Sequence, residues 1–327
     1  GNWGEVPVPE TVIRANQITP GLIDAHGSAG LSGALNVPAD QDLQETSDPV
    51  QASLRVIDGF NARAPLLRYL LEHGVTAIQA VPGPRAVIAG QAGIFRTDAG
   101  SEPVIRFPSA MVFNLGESPK RGEKAPGTRM GTAAIIRKAL AGALEKGEEF
   151  DANREALRAV VNGELPAMFV AHREDDLATA LRIMREFELK GVLSQATEGY
   201  LAREFLAEAG VPVIAAPTMQ RAGGLERFNT CLENAGWMAK AGIRIAISSG
   251  YEGYVPKTRV VLFEAGVAAA NGLGWQGALR SVTIDAARIL GIEKDYGSLE
   301  PGKRADLVVY DGDPFEYTSH VERVYVD

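Results

Sequence analysis

Apolar and polar positions along the chain alternate between two periods. Short β-branched runs, Val75–Val81, Phe169–Ala171, Gly191–Leu193, Val211–Ala215 and Ile243–Ser248, read as strands. Between them lie stretches with apolar residues three and four apart. These are Pro65–His73, then Asp175–Phe187 with Leu177, Ala180, Leu181, Met184 and Phe187 on one stripe, then Tyr200–Ala209 closed by Gly210. Strand and helix alternate at intervals of roughly 20 to 30 residues, the rhythm of repeated βα units, so the pattern predicts an α/β fold around a parallel sheet. After residue 292 the character changes. Gly297–Lys303 is a turn cluster and Ala305–Tyr310 a strand bounded by Asp311-Gly312-Asp313-Pro314, a small β unit attached to the main body.

Length and composition narrow the class. With 327 residues, 46% apolar and 23% charged, and no uninterrupted apolar run near ~18 residues, the chain reads as soluble and globular. Thirty-three basic against 41 acidic residues give a net charge of −8, and the basic ones are scattered singly, as at Arg63, Arg68 and Arg85. Neither a nucleic-acid face nor a membrane partner is expected. Cys231 is the single cysteine, which excludes an internal disulfide and a cysteine-built zinc site. Gly1 is not an initiator Met, no signal peptide is visible, and Val321–Asp327 stops within a strand-like run, so both ends read as clipped and the compartment stays open. The run Glu145–Asp151 reads as a solvated loop or helix end, and Gly83–Gly93 lacks the spacing of a phosphate cradle, its glycines serving tight turns and close backbone approach.

Ile18-Thr19-Pro20-Gly21-Leu22-Ile23-Asp24-Ala25-His26 resembles the opening of the amidohydrolase superfamily, and Gly297–Pro314 resembles its closing signature. Ala171–Asp176, Thr197–Tyr200 and Ser281–Leu290 are similar, in order and spacing, to the imidazolonepropionase-like branch. The resemblance implies a (β/α)8 TIM barrel of the metal-dependent hydrolase type with a partial β-sandwich. Residues 1–17 would be a remnant of the N-terminal sandwich segment, 18–292 the barrel, and 293–327 the C-terminal sandwich segment. It also implies hydrolysis of C–N bonds at a metal in the barrel mouth, where an ion lowers the pKa of a bound water.

Residue by residue, the metal positions of that family are largely replaced. His26-Gly27-Ser28 stands where the family has His-X-His, two side chains that share one side of a strand. Val170-Ala171-His172 keeps the second histidine of the fifth strand, Gln195 stands at the histidine of the sixth, and Ser248-Ser249-Gly250 at the aspartate of the eighth. Ser109–Phe113, at the fourth strand, offers neither Lys nor Glu. His26 and His172 are the two remaining candidate metal ligands. His73 and His320 read as surface or helix-capping residues. Carboxylate rescue would draw on Glu117, Glu198 or Glu252. The expected protein is therefore an amidohydrolase-fold chain with an eroded metal site and no cofactor, a non-catalytic or regulatory subunit paired with an active homologue or with its own copy. The alternative is an atypical hydrolase of non-peptide or cyclic amide bonds, with zinc, using His26, His172 and one of Glu198 or Glu252, so that His172, Gln195, Glu198 and Glu252 are the candidate catalytic residues. A third reading, a small-molecule binder, would use Gln195, His172, Ser249 and Tyr251 for polar contacts.

Overall fold

In the computed structural model, residues 15–35, 37–100, 102–121, 124–145, 149–251 and 261–327 are described. Eight strands form one sheet in the order β2 (Leu22–Gly27), β3 (Val75–Ala80), β4 (Ile88–Arg96), β5 (Val104–Asn114), β6 (Ala167–Ala171), β7 (Gly191–Gln195), β8 (Val213–Ala215) and β9 (Ile245–Ile247). Strand β1 (Gln17–Pro20) stands outside this sheet. It pairs antiparallel with β10 (Leu307–Tyr310), which pairs antiparallel with β11 (Val321–Tyr325) in a separate three-stranded sheet. Strands β2 and β9 close the eight-stranded sheet into a barrel without a shared ladder: Gly250 N–H donates to the His26 carbonyl at 2.8 Å.

Helices α1 (Val56–Gly59), α2 (Pro65–Glu72), α3 (Arg129–Leu144), α4 (Ala152–Val161), α5 (Glu174–Glu186), α6 (Gly199–Ala209), α7 (Asn234–Lys240), α8 (Val261–Ala268), α9 (Gly274–Ser281) and α10 (Ile284–Leu290) complete the chain. Helix α5 shows why the sequence folds as it does. Its stripe of Leu177, Ala180, Leu181 and Met184 is buried against the barrel, and each large side chain removed from water contributes about 1.5–3 kcal/mol. Glu174, Asp175 and Asp176 occupy its first turn, where carboxylates complement the helix dipole. Gly210, at φ +65°, ends α6 in the left-handed conformation that glycine adopts without strain.

The pattern predicted a parallel sheet, and the sheet is parallel except at one strand. Strand β4 runs antiparallel to both β3 and β5. The reason is connection length: only residues 81–87 separate β3 from β4 and 97–103 separate β4 from β5, too few for a crossover helix but enough for hairpins. The second half of the glycine-rich run Gly83–Gly93 therefore lies in a strand rather than a loop. Gly90, at φ +115°, does allow close approach, since a Cβ there would meet the Leu54 carbonyl oxygen at 2.6 Å. In the charged run Glu145–Asp151, residues 146–148 lie outside the described residues and the others are exposed. Among the described residues no helix is long and apolar enough to cross a membrane.

Candidate functional site at the barrel mouth

The C-terminal strand ends bring His26, His172, Gln195 and Tyr251 together. A cavity of about 380 Å³ opens there, lined among others by His172, Gln195 and Tyr251, which end strands or closely follow them, and by Glu117, Arg121, Glu226 and Arg227 from the segments after β5 and β8. His26 lies fully buried beneath, its ring edge-on to Tyr251 with centroids 4.2 Å apart at 81°.

Both imidazoles are committed on one side. His26 Nδ1 is 2.7 Å from Ser194 Oγ, and its Nε2 is buried with no partner among the described residues. His172 Nδ1 is 2.7 Å from Thr197 Oγ1, which in turn bonds the Gln220 amide. Burial pushes both pKa values down to about 3, aided by the neighbouring His172 for His26 and by Arg227 for His172. Both rings are neutral at pH 7.

Below them sits Asp24, 1% exposed. Its carboxylate accepts the backbone N–H of His26 at 3.3 Å and that of Ser249 at 3.1 Å, and the Ser249 hydroxyl as well. Burial pushes its pKa up to about 6, against these hydrogen bonds. The serine at the eighth-strand position is thereby occupied in holding β9 to β2.

Gln195 ends β7 under constraint. It lies at φ +76° and Ala196 at φ +42°, a region that costs a residue with a Cβ about 1–3 kcal/mol unless its surroundings enforce it. Here they do: Ala196 N–H donates to the Ala171 carbonyl at 2.8 Å, and the Gln195 carbonyl accepts Ala216 N–H at 2.7 Å. The Gln195 side chain, 3% exposed, leaves Nε2 buried without a partner among the described residues. Its Oε1 approaches Gly250, where a Cβ would lie 3.3 Å from it.

Two of the three carboxylates that a rescue would draw on are engaged in other contacts. Glu198 accepts Glu174 N–H through Oε2 and Asn229 Nδ2 through Oε1, both at 2.8 Å, so it caps helix α5. Glu117 pairs with Arg121 at 3.3 Å on the rim. Glu252 lies outside the described residues. Of the other sequence candidates, Ser109 accepts Gln79 Nε2, and Cys231 is half-buried beside Glu233. His73 and His320 lie at the opposite end of the barrel, bonded to the Tyr69 carbonyl and to Asp311, and border a separate cavity of about 890 Å³.

Pattern reading missed the group that holds the rim. Arg129 bridges Asp176 at 2.9 Å and Glu226 at 3.1 Å. Glu226 also accepts Glu117 N–H at 3.1 Å. Burial, then the Asp176 carboxylate, pushes Glu226 up to about 7. Asp176 and Glu226 lie 47 and 97 positions from Arg129, and no local spacing signals such a cluster.

A metal centre of this kind needs about three protein ligands and an open position. Among the described residues no group of three or more His, Cys, Asp or Glu is arranged to hold an ion. With Ser28, Val170, Gln195 and Ser249 at the remaining strand ends, the donor set does not fit a hydrolytic zinc.

The sequence profile of the amidohydrolase family matches residues 136–326. Amidohydrolase tasK of Hapsidospora irregularis is 25% identical over 98% of this chain, which spans only 37% of that protein's length. The imidazolonepropionase of Rhizorhabdus wittichii is 24% identical over 90% of the chain and 79% of its own length. Among solved structures, an amidohydrolase from Thermotoga maritima MSB8 superimposes with a TM-score of 0.91 at 32% identity, covering 98% of this chain and 89% of that one. A prolidase complexed with N-methylphosphonate-L-proline shares the fold alone, at 20% identity and a TM-score of 0.60.

Proposed function

The chain belongs to the amidohydrolase family, and from that premise we propose that it is a non-catalytic member: a subunit that binds a small molecule in its barrel mouth and acts on, or with, a homologous active subunit or its own copy. The single observation that carries this reading is the donor set. Two neutral imidazoles, each anchored through Nδ1, are accompanied by hydroxyls, an amide and a valine where ion-binding side chains would converge. Zinc titration of the purified chain, followed by assays with N-acyl amino acids, dipeptides and cyclic amides, tests it. Weak, substoichiometric zinc and no turnover are expected. One tightly held zinc per chain, lost together with hydrolysis in His26→Ala, would overturn it.

One observation favours a second reading, an atypical hydrolase of C–N bonds. A ring fixed at Nδ1 by a neighbour, with Nε2 buried and unpartnered, is how a ligand histidine is commonly oriented. In that case His26→Ala abolishes turnover, whereas the non-catalytic reading has no turnover to lose.

A further inference from the structure

The cleft at the opposite end of the barrel, about 890 Å³, has more than twice the volume of the mouth. It lies on the face opposite to the one that carries catalytic sites in this fold. Helices α2 and α8 form two of its sides, and the connection between β10 and β11 forms the third. Its walls are rich in rings: Tyr69 comes from α2, Phe263 from α8, and Phe315 and Tyr317 from the connection. Two of these rings are fixed by neighbours. Tyr69 lies against His73 with centroids 4.2 Å apart, and Phe315 stands edge-on to Trp275 at 5.6 Å and 69°. The connection is itself stapled, since Asp313 accepts Phe315 N–H and Trp275 Nε1, both at 2.9 Å, and Asp311 accepts His320 N–H at 2.6 Å. Phe263 and Tyr317 are left 46% and 89% exposed. A ligand would meet these two rings against walls already in place, which lowers the cost of binding.

The permanent charge of the cleft has one sign. Glu72 and Glu316 line it, and among the described residues no lysine or arginine does. Glu72 is paired with Arg68 at 3.0 Å, whereas Glu316 enters no ion pair among the described residues. The other titratable side chains of the lining are His73 and His320, the latter 3.2 Å from Asp311. Aromatic faces carry negative potential and attract a weakly hydrated cation, most of all an alkylated ammonium. An anion would be repelled by the carboxylates, and a neutral guest would gain nothing from them.

We infer that this cleft is a binding site for a small organic cation, an alkylated ammonium carried on an apolar body, with the Phe263 and Tyr317 rings as its aromatic contacts and Glu316 as the opposite charge. The site is separate from the mouth and independent of the function proposed for it.

Ligand-observed NMR titration of the full chain at pH 8 with benzyltrimethylammonium, and with its neutral counterpart of similar shape, 2-methyl-1-phenylpropan-2-ol, tests the assignment. The cation is expected to bind about tenfold more tightly than the alcohol. Tyr317→Ala and Glu316→Gln are each expected to weaken binding of the cation about fivefold, while Tyr317→Phe keeps it. Both side chains are exposed, so the Tm of the variants should stay that of wild type. Equal binding of the two probes, no binding of benzyltrimethylammonium up to about 10 mM, or undiminished binding in Tyr317→Ala or Glu316→Gln would overturn the inference. A loss in Tyr317→Phe as large as in Tyr317→Ala would overturn it as well. So would a dimer in light scattering that Tyr317→Ala dissociates, which would assign the cleft to a second copy of the chain.

Discussion

Asp24 and Ser249 close the barrel. The Asp24 carboxylate on the first barrel strand accepts both the backbone N–H and the hydroxyl of Ser249, just past the eighth, where no ladder joins the two strands. Removing the hydroxyl leaves a buried carboxylate short of a donor. Ser249→Ala is therefore expected to destabilise the fold by about 1–3 kcal/mol in urea denaturation. A cost below a few tenths would show that the seam is held by other contacts.

Arg129 is a cationic partner that Asp176 and Glu226 share. Arg129→Ala leaves two largely buried acids with their mutual repulsion uncompensated. Breaking such a network costs about 3–5 kcal/mol when fully buried, and with Arg129 31% exposed the lower end is expected. Arg129→Lys should recover part of the loss, because an ammonium can meet only part of the geometry that the guanidinium fork satisfies. Chemical denaturation of the two variants provides the comparison.

Glu226 makes the rim pH-sensitive. Its pKa is about 7 in the fold against 4.5 as a free side chain. Between those values the folded state binds the extra proton, so its contribution to stability falls as pH rises through that window. Glu226→Gln mimics the protonated form and lacks this loss. The variant should match wild type near pH 4.5 and gain on it up to pH 8, by a fraction of the roughly 1.4 kcal/mol per pH unit of full linkage, since rim solvent screens the site. Unfolding curves at the two pH values check the sign.

Restoring donors should restore metal affinity. Ser28 and Gln195 stand at strand ends near His26. Ser28→His combined with Gln195→His would raise the imidazole count at the mouth from two to four. Zinc affinity, measured by competition with a chromophoric chelator, is expected to rise by roughly two orders of magnitude or more. An unchanged affinity would mean that the mouth no longer aims these positions at one point.

Much of the architecture was legible because it rests on local periodicity. The stripe of Leu177, Ala180, Leu181 and Met184 announces α5, and Val75–Val81 announces β3, each within a residue or two of its observed bounds. The reversed strand β4 was not, since Gly90 and Gly93 interrupt its pattern and its direction depends on connection length. At the site, the replaced residues Ser28, Gln195 and Ser249 could be identified by position. What each does could not. That Ser249 binds Asp24, that Glu198 caps α5 and that Glu226 shares Arg129 with Asp176 are pairings between distant segments.

The sequence by itself determined the barrel, the family and the poverty of imidazoles, because these follow from patterning and residue identity. Only the tertiary structure decided how the remaining side chains are employed. Burial sets whether His26, His172 and Asp24 carry charge, and closure of the barrel brings Gln195, at positive φ, to the cavity at the mouth.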